Sequence, residues 1–153
     1  GRVAIEAKAR RGAARPYVAI SSEFQLDADG CDALFLYVVE LDAAPEDASA
    51  AFTITEVARR LADRIAADAP SVIERFEGQL VAAGFSWDDD YSSFRWMSGP
   101  HRFLHVGESF PCITPAAFAS GVERVRYDLS LVDCEPFRVG DEIVRGRLEG
   151  VGQ

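Results

Sequence analysis

The most apolar stretch of the chain, Ala33-Leu34-Phe35-Leu36-Tyr37-Val38-Val39-Glu40-Leu41, constrains the fold more than any other segment. It is too short to cross a membrane, which takes roughly 20 apolar residues, and no other run approaches that length. It is rich in β-branched and aromatic residues and shows no polar alternation, as a strand covered on both faces should. Layers must then lie above and below it, which points to an α/β fold around a mixed central sheet. With 153 residues, 48% of them hydrophobic, one good core is affordable, and a single domain over residues 1–153 is expected.

Upstream, Val3, Ile5, Ala7 and Ala9 alternate with Ala4, Glu6, Lys8 and Arg10, the period-two pattern of a strand. Pro16-Tyr17-Val18-Ala19-Ile20-Ser21 reads as a second strand. The short polar, Gly-containing link at 10–15 joins the two into an expected N-terminal β-hairpin. Ser21 and Ser22 offer a hydroxyl cap to a helical turn through Glu23-Phe24-Gln25-Leu26. Thr53 or Thr55 caps a helix carrying Val57, Leu61 and Ile65 at four-residue spacing. Ala69-Pro70-Ser71 separates it from a second helix striped by Val72, Ile73, Phe76, Leu80 and Val81, with Gly84 as its stop. These helices should form a hairpin packed on the sheet. Further on, Phe94–Met97 and His101–Val106 read as two short strands about Ser98-Gly99-Pro100. Val122–Val132 alternates, and Asp141–Leu148 reads as a closing helix.

The net charge of −9 argues against nucleic acid, yet its distribution does not. Residues 1–15 hold Arg2, Lys8, Arg10, Arg11 and Arg15 against Glu6 alone, a local excess of +4. A basic patch on an acidic body suits a localised phosphate contact, or simply a solvated face. Cys31, Cys112 and Cys134 are odd in number and far apart, which fits a reduced, cytoplasmic setting better than a disulfide framework or a close-spaced zinc site.

Glu6 and Lys8 lie two residues apart on the first strand and so project from one face. A carboxylate beside an ammonium can hold a divalent metal and position a water against a phosphodiester, and the same pair can equally be a surface ion pair. Phosphodiester cleavage with magnesium needs hard oxygen ligands, usually two carboxylates, and a positive group at the developing charge. Glu6 supplies one ligand and Lys8 the positive group. His101 and His105, on a strand, are too far apart to share a metal. Asp88-Asp89-Asp90 reads as a solvated loop, and Trp87 and Trp96 as packing residues rather than base-stacking ones. No Gly-x-x-x-x-Gly-Lys phosphate loop or Gly-x-Ser-x-Gly elbow occurs in the sequence.

Ala4-Ile5-Glu6-Ala7-Lys8, then Val18-Ala19-Ile20-Ser21-Ser22-Glu23-Phe24-Gln25-Leu26, then Leu34-Phe35-Leu36, taken in order, resemble the PD-(D/E)XK nuclease superfamily. Within it they are similar to a group whose genes sit among restriction, methylation and phage-defence systems. Phe110-Pro111-Cys112-Ile113 and Val125-Arg126-Tyr127-Asp128-Leu129-Ser130 are similar to the C-terminal part of that group. The resemblance implies a restriction-endonuclease-like fold and a DNA endonuclease that uses Mg2+ or Mn2+. It makes Glu6 the metal-binding acid, Lys8 the catalytic lysine and Gln25 a polar catalytic-site residue, with Arg10, Arg11 and Arg15 gripping the DNA backbone.

In that superfamily the metal-binding Asp lies on the strand before Glu-x-Lys, which here would precede Gly1. The chain is therefore expected to be the C-terminal portion of a longer nuclease, incomplete alone. Besides DNA, its expected partners are the N-terminal half of the same protein, other defence-system proteins or a second copy, with no membrane. The acidic body and the missing second ligand also motivate an alternative: a non-catalytic α/β interaction module, a degenerate nuclease fold within a defence complex.

Overall fold

The computed structural model describes residues 2–119 and 121–150. The chain forms two compact units, one built from Gly1–Leu41 and Gly99–Gln153, the other from Asp42–Ser98. The strands are β1 (Val3–Arg10), β2 (Tyr17–Ile20), β3 (Ala33–Ala43), β4 (Trp96–His105), β5 (Tyr127–Ser130) and β6 (Arg138–Val139). The helices are α1 (Ile54–Asp68), α2 (Ile73–Ala82) and α3 (Asp141–Gly150). The α/β class with a mixed sheet is borne out: a four-stranded sheet in the order β1-β3-β4-β6 pairs β1 with β3 in parallel and β4 with β6 antiparallel.

In the first unit, β3 is the doubly covered strand its composition calls for. Leu34, Leu36 and Val38 face one core, with Val18 and Ile20 of β2, Leu129 of β5, Leu104 and Leu131. Ala33 and Phe35 face the other, with Val144 of α3 and the half-buried Val3, Phe103 and Val139. A two-stranded sheet thus covers one face and a helix the other.

The expected N-terminal hairpin is not formed. β1 runs parallel to β3, with Glu6 opposite Leu36 and Lys8 opposite Val38, while β2 pairs antiparallel with β5, Val18 opposite Leu129. Only the even-numbered residues of β2, Val18 and Ile20, are buried; Tyr17 and Ala19 face water. That apolar face completes the core over Leu34, Leu36 and Val38, where its burial is favourable. The partner that completes β2 lies more than 100 residues away, beyond the reach of a local turn signal.

The two short strands expected about Ser98-Gly99-Pro100 are one continuous strand, β4. β6 pairs with this strand further on, at Phe103 and Leu104. Gly99 lies against Glu40, whose Cβ would stand 3.2 Å from any Cβ added at that position. The expected alternating strand at Val122–Val132 is shorter than its pattern, four residues of β5.

In the second unit, Thr53 is the cap of α1. Its backbone N–H donates to the Glu56 carboxylate (2.7 Å) and its hydroxyl accepts from the Glu56 N–H (3.2 Å), a reciprocal capping box. Gly84, at φ +88°, follows α2 as expected. Trp87 stands edge-on to Phe85 at 4.9 Å but remains exposed, and Asp89 and Asp90 hold Tyr91 and Ser92 within their own loop.

Glu23 is a buried charged residue of the first unit, 5% exposed. Its carboxylate accepts the backbone N–H groups of Arg124 (3.2 Å) and Val125 (3.0 Å) and so ties the turn after β2 to the segment before β5. Its own backbone N–H most strongly, then those of Val125 and Arg124, hold the carboxyl below the ordinary glutamate value of 4.5, against burial, which raises it.

Two outcomes follow for stability. Leu36→Ala should destabilise the chain by about 3 kcal/mol in chemical denaturation, since Leu36 is fully buried between two layers. Because the Glu23 carboxyl is depressed in the folded state, its contribution is present above pH 4.5 and disappears as pH falls through the folded value. Glu23→Gln should therefore melt below the parent at pH 7, and the gap should narrow at pH 3; equal gaps at both would show that the charge is irrelevant.

Candidate functional site

β1 presents Ala4, Glu6, Lys8 and Arg10 on the face that carries Leu34, Leu36, Val38 and Glu40 of β3, because a parallel ladder in register keeps matched residues on one side. Ala4 packs into the core there, and the longer side chains beyond it reach the rim. Lys8 Nζ lies 3.0 Å from Glu6 Oε1 and donates to Gln25 Oε1 at 2.9 Å. The three residues read from the sequence as a site thus meet around one ammonium. The Lys8 and Glu6 side chains are 15% and 24% exposed, a sheltered pair that still touches water.

Gln25 is placed by its turn. Glu23 and Leu26 are anchored inside, at 5% and 1% exposure, which leaves Phe24 and Gln25 facing outward. The Gln25 carbonyl also accepts the backbone N–H of Ser21 (2.9 Å) and the Ser21 hydroxyl (3.3 Å). A single amide oxygen therefore orients Lys8 and closes the end of β2.

Glu6 and Gln25 line a cleft of about 310 Å³, with Arg2, Asp27 and Asp29 on its walls. Asp27 accepts the Asp29 backbone N–H at 3.1 Å, a local turn that sequence reasoning did not single out. The clue was the Asp-x-Asp-Gly spacing just after Gln25. Among the described residues, no group of three or more His, Cys, Asp or Glu side chains is gathered closely enough to hold a metal by itself. The donor chemistry nonetheless fits a hard cation. Magnesium is commonly held by one or two carboxylates, with waters and substrate phosphate oxygens filling its shell, and Glu6 offers one such carboxylate at an open cleft.

The basic residues divide. Arg10 does not reach outward as the sequence reading expected. Its guanidinium, in a side chain 8% exposed, pairs with Glu40 and donates to the carbonyls of Ala14, Arg15 (3.3 Å) and Gly12 (3.4 Å). It braces the loop after β1, because a buried guanidinium must spend its donors on the protein. Arg11 and Arg15 are exposed on that loop.

Other candidates stay apart from the cleft. His101 pairs with Asp141 at the start of α3 (3.1 Å) and lies 5.7 Å from the Tyr37 ring, while His105 packs on Phe35, consistent with packed rather than metal-sharing histidines. The three cysteines are free thiols. Burial, first of all, pushes the Cys134 thiol up to about 11, far from a nucleophile at neutral pH.

Comparison with known proteins finds no matching curated protein and no matching solved structure. A family model does match, over residues 1–132, most of the chain: its description reads "Putative PD-(D/E)XK family member, (DUF4420)". With Glu6-Ala7-Lys8 on an edge strand of a mixed sheet and Gln25 closing on the lysine, the chain belongs to that PD-(D/E)XK-like family.

Proposed function

We propose that this chain carries the Glu-x-Lys half of a magnesium-dependent DNA endonuclease of restriction or phage-defence type. The observation that supports it best is the Lys8 ammonium held 3.0 Å from Glu6 and 2.9 Å from Gln25 beside an open cleft. Family membership supports a nuclease-like fold, and DNA is the substrate that such a fold suggests.

In the reaction, a water oxygen forms a bond to phosphorus while its proton passes to solvent, and the bond to one ester oxygen breaks as that oxygen takes a proton from solvent. When bound, a divalent cation would supply Lewis acidity and a nucleophilic hydroxide near neutral pH. Glu6 would hold it. Lys8 stabilises the negative charge that builds on the phosphoryl oxygens and the attacking oxygen. Gln25 acts through Lys8: by fixing the ammonium it spares the reorganisation that a freely rotating lysine would need. Arg11 and Arg15 contact backbone phosphates, while Arg10 holds their loop. Mn2+ should substitute for Mg2+ with these oxygen donors. One such centre cuts one strand, so scission of a duplex calls for a second copy or a second event. A second metal-binding carboxylate would come from the N-terminal half of the same protein, and a cytoplasmic setting among defence proteins completes the reading.

One observation favours a second reading. Glu6 stands without a gathered set of carboxylates among the described residues, as it would in a degenerate nuclease fold serving as a non-catalytic interaction module.

In the complete gene product, Glu6→Ala and Lys8→Ala should each lower Mg2+-dependent cleavage of plasmid DNA by at least about 10²-fold while leaving the circular dichroism spectrum intact. Undiminished cutting by either variant would exclude the mechanism. Calorimetry separates the two readings: Mg2+ or Mn2+ binding that Glu6→Ala removes supports the enzyme, and no binding at millimolar metal supports the module.

A further inference from the structure

The turn that delivers Gln25 to Lys8 also holds Phe24 outward, 66% exposed, between two immediate neighbours of opposite habit: buried Glu23 and half-buried Gln25. Phe24 lines the cleft of Glu6 and Gln25, and it also lines a second, wider cleft of about 530 Å³. The other walls of that second cleft carry Ser21, Ser22, Glu123, Arg124 and Arg126. A third depression, which Ser21 and Arg126 also line, continues it along β2 and β5.

Three features mark the second cleft as built rather than incidental. Arg124 has φ +61°, a left-handed conformation unfavourable for a side-chain-bearing residue, and it is the one non-glycine of the described residues to adopt it. The buried Glu23 carboxylate holds that backbone by accepting the Arg124 and Val125 N–H groups. The two guanidinium groups, of Arg124 and Arg126, form no ion pair among the described residues, in a chain with 25 acidic and 16 basic residues. Glu123 lines the same cleft and does not bridge to either. A large exposed aromatic ring, two hydroxyls and two uncommitted guanidinium groups are what a strand with exposed bases binds: phosphates on arginine, a base on the ring.

We infer that this second cleft is a subsite for an unpaired stretch of the DNA substrate, with Phe24 stacking on one base and Arg124 and Arg126 taking the phosphates beside it. The inference rests on the nuclease reading and deepens it, because Phe24 and Ser21 belong to both the subsite and the surroundings of Gln25. A base in an intact duplex is already stacked on its neighbours and offers no free face to Phe24. The preferred substrate therefore has a frayed, overhanging or single-stranded flank next to the phosphodiester that is cut.

The test uses the complete gene product with EDTA in place of metal, so that nothing is cleaved. A fluorescein-labelled duplex is offered blunt or with a single-stranded overhang, and binding is followed by anisotropy over a range of salt concentrations. The parent should prefer the overhang, and Phe24→Ala should weaken overhang binding about tenfold while changing blunt binding little. Arg124→Gln and Arg126→Gln should each reduce the slope of log affinity against log salt by about one. In Phe24→Trp, added overhang DNA should quench indole fluorescence beyond any change seen in the parent, whose Trp87 and Trp96 set the background.

Parent-like affinity and salt slope in the folded Phe24→Ala, Arg124→Gln, Arg126→Gln triple variant would overturn the subsite. If Glu6→Ala still abolished cutting, the nuclease reading would stand without it. Failure of the parent to bind either DNA, both in EDTA and with Ca2+ as a non-cleaving cation, would overturn both.

Discussion

One ammonium organises the candidate site of this protein. Lys8 is largely sheltered from solvent and must find acceptors within the fold, which it does in the Glu6 carboxylate and the Gln25 carbonyl. Both contacts depend on the parallel register of β1 on β3, where Glu6 lies opposite Leu36 and Lys8 opposite Val38. A slip by one residue would send both charged groups to the face where Val3 and Phe35 pack beneath α3. The buried alternation of β3 thereby fixes where the carboxylate and the ammonium emerge, and the fold and the site are one constraint.

Charge is distributed with the same economy. Arg10 and Glu40, next along the same face, neutralise each other and fasten the loop that carries Arg11 and Arg15. Glu23, buried, gives its carboxylate to two backbone N–H groups rather than to a cation. With these two acids engaged internally, the arginines at 124 and 126 remain available at the surface of a chain whose net charge is −9. Net charge alone would have dismissed nucleic acid; the placement of individual groups does not.

The elements legible in the sequence were those set by local chemistry. The doubly buried β3, the Thr53 capping box, the Gly84 stop and the Glu6–Lys8 spacing are each decided within a few residues. Illegible were the decisions made across the chain. The link after Arg10 looks like a hairpin turn, yet β2 is claimed by β5 from more than 100 residues away, because its two inward side chains complete the core over β3. The role of Arg10 was hidden for the same reason, since Glu40 becomes its partner only when β1 lies on β3. Ser98-Gly99-Pro100 carries the letters of a turn, yet it continues as strand within β4. Gln25 was named by resemblance, and the contact that gives it meaning needed the turn to be seen closing on Lys8.

The central claim is that Glu6 presents a cation, beside Lys8 and Gln25, to a phosphate. Paramagnetic relaxation by Mn2+ in the complete gene product, with a nonhydrolysable oligonucleotide bound, tests it most directly. The account predicts that amide signals of residues 6–8 and 21–25 broaden first as Mn2+ is added, and that Glu6→Ala abolishes the effect. Broadening centred elsewhere, or unchanged by Glu6→Ala, would contradict it.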